Sequence, residues 1–461
     1  MNRTIKWDIT NKCGLRCRHC YNSRYFAEKD IREPQISEVM NALTVFEKMG
    51  ASRIHFLGGE PLMSLALIPA LLFAKNKSII TTITTNGMLL SANMMEMLLN
   101  LNVAFIAVSL DGITEETNDA IRGNGVFRNV VSNLKTAVRI NRIYDGSTKI
   151  YITLTLTKKN ASQSAGIMEF AKSVGVDGVL VATLDHEGDA VANWDEIALT
   201  TEEWVDSVES IVAQKHLYPD MYLEVVCKKP LSEYLYRKYG WKNKVLEKEA
   251  DYCNGTDEEY YVRADGTIWP CRKASDQRCR GVQEENGCDC GLAPNAFTAE
   301  PETVLKNTYL SSFYRFSRDI ETYTRSPFCL ASKCLTSCIP CQLAAAKGYV
   351  SDECVCARKR LKDYMAKINE QCLQLSDDCF VNSLVEDSVS VVRIGTQETV
   401  CFQDLEREII DLIRKEHLKL GDLIRKAYEG YEDSVGFDEF SSDIMDFVFD
   451  LLENKIVCWG H

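Results

Sequence analysis

Cys13-Gly-Leu-Arg-Cys17-Arg-His-Cys20 decides how this chain is read. Three cysteines fall at C-x3-C-x2-C, directly after a strand-like apolar stretch at Thr4–Thr10. Structural zinc takes four ligands, usually from two paired knuckles. A four-iron cluster takes four thiolates. Three crowded cysteines therefore suggest a cluster with one iron left open, since free thiols rarely gather so tightly without a metal.

Outward from this stretch, strand-like and helix-like segments alternate over residues 1–225. β-Branched runs at Lys6–Thr10, Arg53–Leu57, Ile79–Thr84, Ala104–Leu110, Lys149–Thr157, Gly178–Leu184 and Met221–Cys227 predict strands. Ile36–Met49 carries an apolar helical face and stops at Gly50, and Val126–Ile140 is similar. Repeated β-α alternation gives an α/β fold with a parallel sheet, and both a partial (β/α)6 barrel and an open doubly wound sheet satisfy the pattern. Either way, ligands gather at the C-terminal ends of the strands. Gly58-Gly59-Glu60-Pro61, Thr84-Thr85-Asn86-Gly87, Ser109-Leu110-Asp111-Gly112 and Arg122-Gly123 follow successive strands. Paired glycines let backbone approach closely, and a carboxylate can meet an ammonium. His186-Glu187-Gly188, after the sixth strand, carries little weight.

In this order the motifs resemble the radical S-adenosylmethionine (SAM) enzymes. The resemblance selects the partial barrel and implies a [4Fe–4S] cluster on Cys13, Cys17 and Cys20, with SAM on the open iron. His19 would lie against the adenine, where many members have an aromatic ring. Gly58, Gly59, Glu60 and Pro61 match the motif that binds the SAM amino group. Asn86, Ser109, Asp111 and Arg122 would complete the pocket.

A bridging segment, 226–250, leads to a second cysteine field at 251–378. Tyr260–Arg263 and Thr267–Trp269 read as a hairpin around Ala264-Asp265-Gly266, capped by Cys253 and Cys271. Cys329, Cys334, Cys338, Cys341, Cys354 and Cys356 follow. Disulfides and zinc are the alternatives for such a set. The field resembles the SPASM extension of peptide- and protein-modifying radical SAM enzymes, which implies one or two auxiliary [4Fe–4S] clusters held by these cysteines. The usual leading C-x2-C pair is missing, so the cysteines are not assigned to particular clusters. Cys279, Cys288 and Cys290 are ligands or loop thiols. Cys227, Cys372, Cys379, Cys401 and Cys458 read as ordinary thiols.

From 383 to 461 the pattern is two strands, Ser388–Ile394 and Glu398–Phe402, then helices at Asp404–Glu416, Leu420–Tyr431 and Asp438–Glu453. Phe440, Ile444, Phe447, Val448, Leu451 and Leu452 mark a core stripe. Eight Lys/Arg against 18 Asp/Glu give this module a net charge of −10. It resembles the winged-helix elements that recognise leader peptides. That implies a leader added as a strand, for which Ser388–Ile394 is the expected open edge.

Composition bounds the rest. A net charge of −13 argues against a general nucleic-acid binder. No apolar run approaches the roughly 20 residues of a membrane span. Nineteen cysteines in a long chain without a signal-like start suggest metal chemistry in a reducing cytoplasm. The expectation is a radical SAM/SPASM maturase of a ribosomally made precursor peptide, served by a flavodoxin- or ferredoxin-type electron donor, with a thioether crosslink as first product. Carbon–carbon crosslinking, another peptide oxidation, a sulfatase-maturating type of reaction and a peptide-binding Fe–S electron carrier are the alternatives, the last disfavoured by the SAM-type motifs.

Overall fold

The computed structural model describes residues 3–26, 33–247, 258–272, 275, 293–307, 310, 353–385, 388–394, 396 and 398–460. The chain divides into two compact units: Met1–Ser232 with Asn243–Cys354, and Glu233–Lys242 with Val355–His461.

The first unit is built on one sheet. Its strands are β1 (Arg3–Thr10), β2 (Ala51–Gly58), β3 (Ile80–Thr85), β4 (Val103–Ser109), β5 (Lys149–Thr155), β6 (Gly178–Ala182), β7 (Tyr222–Val225), β8 (Glu259–Val262) and β9 (Ile268–Trp269). The spatial order is β7-β6-β5-β4-β3-β2-β1-β8-β9. Strands β1 to β7 pair in parallel, each beside its predecessor. That order removes the ambiguity left by the sequence. A doubly wound sheet needs a point where strand order reverses. Here right-handed crossovers run in one sense throughout and send the helices to one face, as in a barrel. All seven strands expected from the β-branched runs are present within a few residues.

Between the strands lie α1 (Ile36–Lys48), α2 (Leu67–Asn76), α3 (Ala92–Asn100), α4 (Glu115–Arg122), α5 (Val126–Ile143), α6 (Ile167–Val174), α7 (Asp189–Ile197) and α8 (Thr201–Ala213). The sheet's helix-facing side forms the core. Trp7 is fully buried, edge-on to Phe46 of α1 at 5.2 Å and 6.0 Å from Phe56 of β2. Side chains alternate along a strand, so Lys6, Asp8 and Thr10 face the other way, into the barrel.

The hairpin read as the start of the second cysteine field is part of this sheet. Strand β8 runs parallel to β1, with Tyr261 opposite Lys6 and Val262 opposite Trp7. Gly266 turns it with φ +84°, and Asp265 accepts from the Thr267 amide. Strand β9 runs back antiparallel to β8, and Cys271 follows two residues after it.

The second unit takes residues 233–239 of α9 (Lys229–Tyr239), then α10 (Glu353–Ile368) from residue 355 onward, β10 (Leu373–Leu375), β11 (Cys379–Val385), β12 (Ser388–Arg393), β13 (Thr399–Gln403), α11 (Asp404–Lys415), α12 (Leu420–Tyr428), α13 (Phe437–Glu453) and β14 (Val457–Trp459). Arg237 of α9 pairs with Asp446 of α13 at 2.6 Å and covers the Phe449 ring. Val389, Val391, Phe402, Ile409, Ile413, Leu423, Phe440, Ile444, Val448 and Leu451 share one core, so the apolar stripe of α13 is structural, as expected.

One expectation fails here. Ser388–Ile394 is not an open edge. Strand β12 pairs antiparallel with β11 on one side and β13 on the other. Val391 is opposite Val381 and Val400 and is 2% exposed. The extra strand, β11, starts just past the cysteine field and runs into the first residues of the segment read as the C-terminal module. The edges of this three-stranded sheet are β11 and β13.

Candidate functional site

The thiol loop leaves β1 at Thr10 and is gripped by the ends of three other elements. From β2, the Gly59 amide donates to the Thr10 carbonyl and the Glu60 amide to the Lys12 carbonyl, each at 2.7 Å. From α4, the Ile121 carbonyl accepts from Arg18 N–H at 2.9 Å. Beyond β6, the Asp189 amide donates to the Cys20 carbonyl at 3.0 Å. The glycines follow from this grip. A Cβ on Gly58 would sit 2.3 Å from the Thr10 carbonyl oxygen, and one on Gly59 2.2 Å from that of Lys12. Gly188, at φ +56°, would meet the Cys20 oxygen at 2.2 Å. The paired glycines therefore serve the approach of loop backbone, which then shapes whatever pocket the loop lines.

A cavity of about 290 Å³ opens at the C-terminal ends of the strands. Cys13, Cys17 and Cys20 all line it, with His19, Gly58, Gly59, Asn86, Ser109 and Arg122. Residues drawn from five separate sequence motifs thus meet on one wall. Glu60, Pro61 and Asp111 stand behind that wall and are buried.

The side chains behind it are braces. Glu60 accepts from the Thr85 hydroxyl at 2.6 Å, the Asn86 amide at 2.7 Å and the Leu62 amide at 3.0 Å. Three of a carboxylate's roughly four lone-pair sites are so used, leaving one for an ammonium. Burial pushes its pKa up, and these bonds pull it back. Asp111 takes the Thr155 amide at 2.8 Å on one oxygen and meets His19 Nε2 at 2.6 Å and Arg122 Nε at 2.7 Å on the other. Burial alone would raise this carboxyl. The Arg122 guanidinium and His19 outweigh it and hold Asp111 well below the usual carboxylate range. Arg122 is placed by helix geometry: Thr114 caps the start of α4, and Gly123, at φ +110°, ends it one residue past the arginine.

The thiols receive donors from this frame. Asn86 Nδ2 lies 3.7 Å from Cys13 Sγ, the Leu15 amide 3.5 Å from the same sulfur, and Arg122 Nη1 3.9 Å from Cys17 Sγ. Such contacts to sulfur tune an iron–sulfur cluster. Burial pushes the Cys17 thiol up to about 11 and Cys20 to about 12, and raises Cys13. Thiolates here need a bound cation to be stable at neutral pH. Among the described residues no three His, Cys, Asp or Glu side chains are gathered as ligands of a single metal ion. A cluster places its thiolates on separate irons, so three spaced thiols on one cavity fit a cluster better than a lone ion. His19 Nδ1 is buried without a hydrogen-bond partner, a polar atom left for a ligand in the cavity.

Sequence reasoning missed the opposite wall. Tyr21, Thr153, Thr155, Asp185 and Arg272 also line the cavity. Arg272 makes ion pairs with Asp185 and Glu187 beyond β6, and its guanidinium lies over the Tyr21 ring, 4.4 Å from the centroid. The His186-Glu187-Gly188 turn carries little weight in the sequence, which gives no reason for its carboxylate or for Asp185 before it. That reason is Arg272, the residue after Cys271, which reaches the cavity only because β8 joins β1. Of the other expected cluster ligands, Cys271 and Cys356 are partly buried. Cys354 lies in the first turn of α10, with only its backbone described. Cys253, Cys329, Cys334, Cys338 and Cys341, like Cys279, Cys288 and Cys290, lie outside the described residues.

Residues 7–165 match the family model described as the Radical SAM superfamily. Fe-coproporphyrin III synthase of Methanosarcina barkeri is 28% identical over 188 residues, covering 40% of this chain and 44% of its own length. Mycofactocin maturase MftC of Mycolicibacterium smegmatis is 25% identical over 210 residues, covering 46% and 52%. The chain spans about half the length of these curated relatives. Among solved structures, Streptococcus suis SuiB bound to precursor peptide SuiA superposes with TM-score 0.55 at 17% identity, covering 76% of this chain and 74% of that one, a likeness of fold. The thiol loop and every cavity-lining residue as far as Thr155 fall inside the matched span, and residues 7–165 of this chain are a radical SAM domain.

Proposed function

We propose that the chain is a radical SAM maturase of a ribosomally synthesised peptide. The observation that carries this reading is the meeting of Cys13, Cys17 and Cys20 with the His19–Asp111–Arg122 cluster on one cavity. The three cysteines would hold a [4Fe–4S] cluster and leave one iron for the SAM amino and carboxylate groups. Bound there and reduced by a flavodoxin- or ferredoxin-type donor, cluster and SAM supply a 5′-deoxyadenosyl radical, the cofactor's own chemistry. The chain's residues do the rest. Gly58, Gly59 and Glu60 fix the thiol loop, and Asn86, Ser109, His19 and Arg122 face the cofactor. Asp111 holds His19 and Arg122 in place, and the Arg272–Asp185–Glu187 pairs close the far wall against water. Cys253, Cys271, Cys329, Cys334, Cys338, Cys341, Cys354 and Cys356 are the proposed ligands of one or two auxiliary clusters. The setting is a reducing cytoplasm.

A peptide substrate is supported by the second unit. A groove of about 660 Å³ lies beside edge strand β13 and helix α13. Val391, Phe402, Phe447 and Leu451 give it an apolar floor, and Glu398, Glu406 and Asp450 add acidic groups to its lining. Strand β13 can extend the sheet by one strand, and a leader lying on it would gain backbone hydrogen bonds. The name of the mycofactocin relative is compatible with this reading. The first bond proposed is a thioether between a peptide cysteine and a carbon of another residue. Co-expression with a small precursor encoded nearby, followed by mass spectrometry, tests it. A product short of two hydrogens that no longer alkylates at cysteine supports the thioether. The same mass with a free thiol replaces it by a carbon–carbon crosslink. SAM cleavage that leaves every such precursor unmodified refutes peptide maturation.

A further inference from the structure

Tyr21 and Arg272 are each the residue after a cysteine. Tyr21 follows Cys20 of the first thiol set, and Arg272 follows Cys271, a proposed auxiliary ligand. Their side chains meet on the cavity wall, with the guanidinium 4.4 Å from the ring centroid. A second set of contacts makes the same join. Arg272 Nη2 pairs with Asp185 and Nη1 with Glu187, in the turn after β6. That turn grips the thiol loop at Cys20. Its Asp189 amide donates to the Cys20 carbonyl, and Gly188 lies where a Cβ would meet the same oxygen. Helix α7, which starts there, carries Asn193. Its side-chain oxygen accepts from the Arg18 guanidinium at 2.9 and 3.0 Å, and its Nδ2 donates to the Arg18 carbonyl at 3.1 Å.

Stability does not account for this cluster. The side chains of Arg272, Asp185 and Glu187 are 21%, 25% and 4% exposed. Burying two carboxylates around one cation is often no better than packing apolar groups in the same space. What a guanidinium adds is a rigid planar fork that fixes two carboxylates and a ring at once, which a lysine cannot do.

We propose that Arg272 is a positioning residue that sets the Cys20 end of the thiol loop in register with the segment bearing Cys271. The inference rests on the function proposed above, because Cys271 enters it as a ligand of an auxiliary cluster. Arg272 acts through Tyr21 and through the turn after β6. Loading the second cysteine field therefore tightens the wall on which Cys20 stands.

Amide hydrogen exchange on the full chain tests the clamp without turnover. In Arg272→Gln the Asp189 amide should exchange about tenfold faster than in the wild type. The Glu60 amide, bonded to the Lys12 carbonyl at the other end of the loop, should not change. Arg272→Lys should behave like Arg272→Gln, since one ammonium does not reproduce the fork. Combining Arg272→Met with Asp185→Asn and Glu187→Gln leaves no stranded charge, so the same loss there excludes repulsion as its cause. Wild-type exchange at Asp189 in Arg272→Lys or in this neutral variant overturns the proposal. The link to Cys271 is read on a chain with Cys13, Cys17 and Cys20 changed to Ala, which leaves only the second field to take up iron and sulfide. Loading should slow exchange at Asp189 about tenfold, and adding Arg272→Gln should cancel that slowing. Loading without slowing overturns this proposal alone. Failure to take up iron overturns the auxiliary-cluster reading, and this proposal with it.

Discussion

The cavity of the barrel and the groove of the C-terminal unit are built on opposite principles. Around the cavity, polar side chains are buried and bonded to one another. Asp111 is held from three sides, Glu60 by three donors, and Arg272 by two carboxylates. Burial raises the Glu60 carboxyl and the Cys17 thiol, while Arg122 and His19 hold Asp111 low against the same burial. The groove is open. Thr399, Val400 and Cys401 are exposed along β13. Under the proposed function, the difference separates two tasks. A site that handles radicals is preorganised and water-poor, so its residues are fixed before any ligand arrives. A site that receives an extended peptide keeps a strand edge unpaired and lets the partner complete it.

The comparison breaks most completely at the thiols. Changing Cys13, Cys17 and Cys20 together to Ala should abolish SAM cleavage, leave any auxiliary iron in place and leave peptide affinity unchanged. Iron analysis, 5′-deoxyadenosine assay and peptide titration on one preparation check all three. Residual 5′-deoxyadenosine formation with dithionite would refute the assignment. Next comes the frame behind the thiols. Arg122→Met strips Asp111 of its guanidinium while burying the carboxylate as deeply as before, so the barrel should lose about 3–5 kcal/mol. Adding Asp111→Asn to that variant should restore part of the loss in a double-mutant cycle, because the stranded charge is gone.

Asp8 gives a smaller effect of the opposite sign. Its folded pKa is raised above its unfolded value by burial, so the folded state holds the proton more tightly. Stability on that account falls as pH rises from about 4 to about 7 and stays reduced above. Asp8→Asn has no such charge to bury. It should match the wild type near pH 4 and exceed it at pH 8 by on the order of 2–4 kcal/mol. Denaturant melts at the two pH values decide this. Equal differences at both would show that Asp8 ionises freely.

How much was legible in the sequence follows the same division between local and long-range. β-Branched runs, the cysteine spacing and glycine stops are local, and the seven barrel strands and their strand-end motifs were placed from them. Strand order was not: the pattern alone allowed two sheet topologies, the family resemblance chose the barrel, and the strand order agrees with that choice. Arg272 was invisible because its partners Asp185 and Glu187 lie far away in sequence and meet it only through that pairing. Paired glycines signalled close approach correctly, but what approaches Gly58 and Gly59 is the backbone of Thr10 and Lys12. The error over β12 is of the same kind. A strand is an edge only if no other segment pairs with it, and Cys379–Val385 supplies that pairing.

That correction moves the last test to a different strand. Proline at Val391 would break the centre of a buried sheet, and loss of binding there would say nothing about recognition. Cutting the chain near residue 380 would sever β11 and leave Arg237 without Asp446. The informative positions are Thr399 and Val400 on β13. On an edge strand successive amides point alternately toward the neighbouring strand and away from it, so proline at one of the two removes an outward N–H and at the other a ladder bond. The outward variant should keep its fold and its SAM cleavage. It should bind the precursor about tenfold more weakly, as expected for one lost backbone hydrogen bond of about 1 kcal/mol with some strain. The ladder variant should also lose stability. Raising salt should weaken a Lys- or Arg-bearing leader further, because the residues from 383 onward carry a net charge of −10. If both variants fold and bind the full precursor as tightly as the wild type, the leader does not lie on β13.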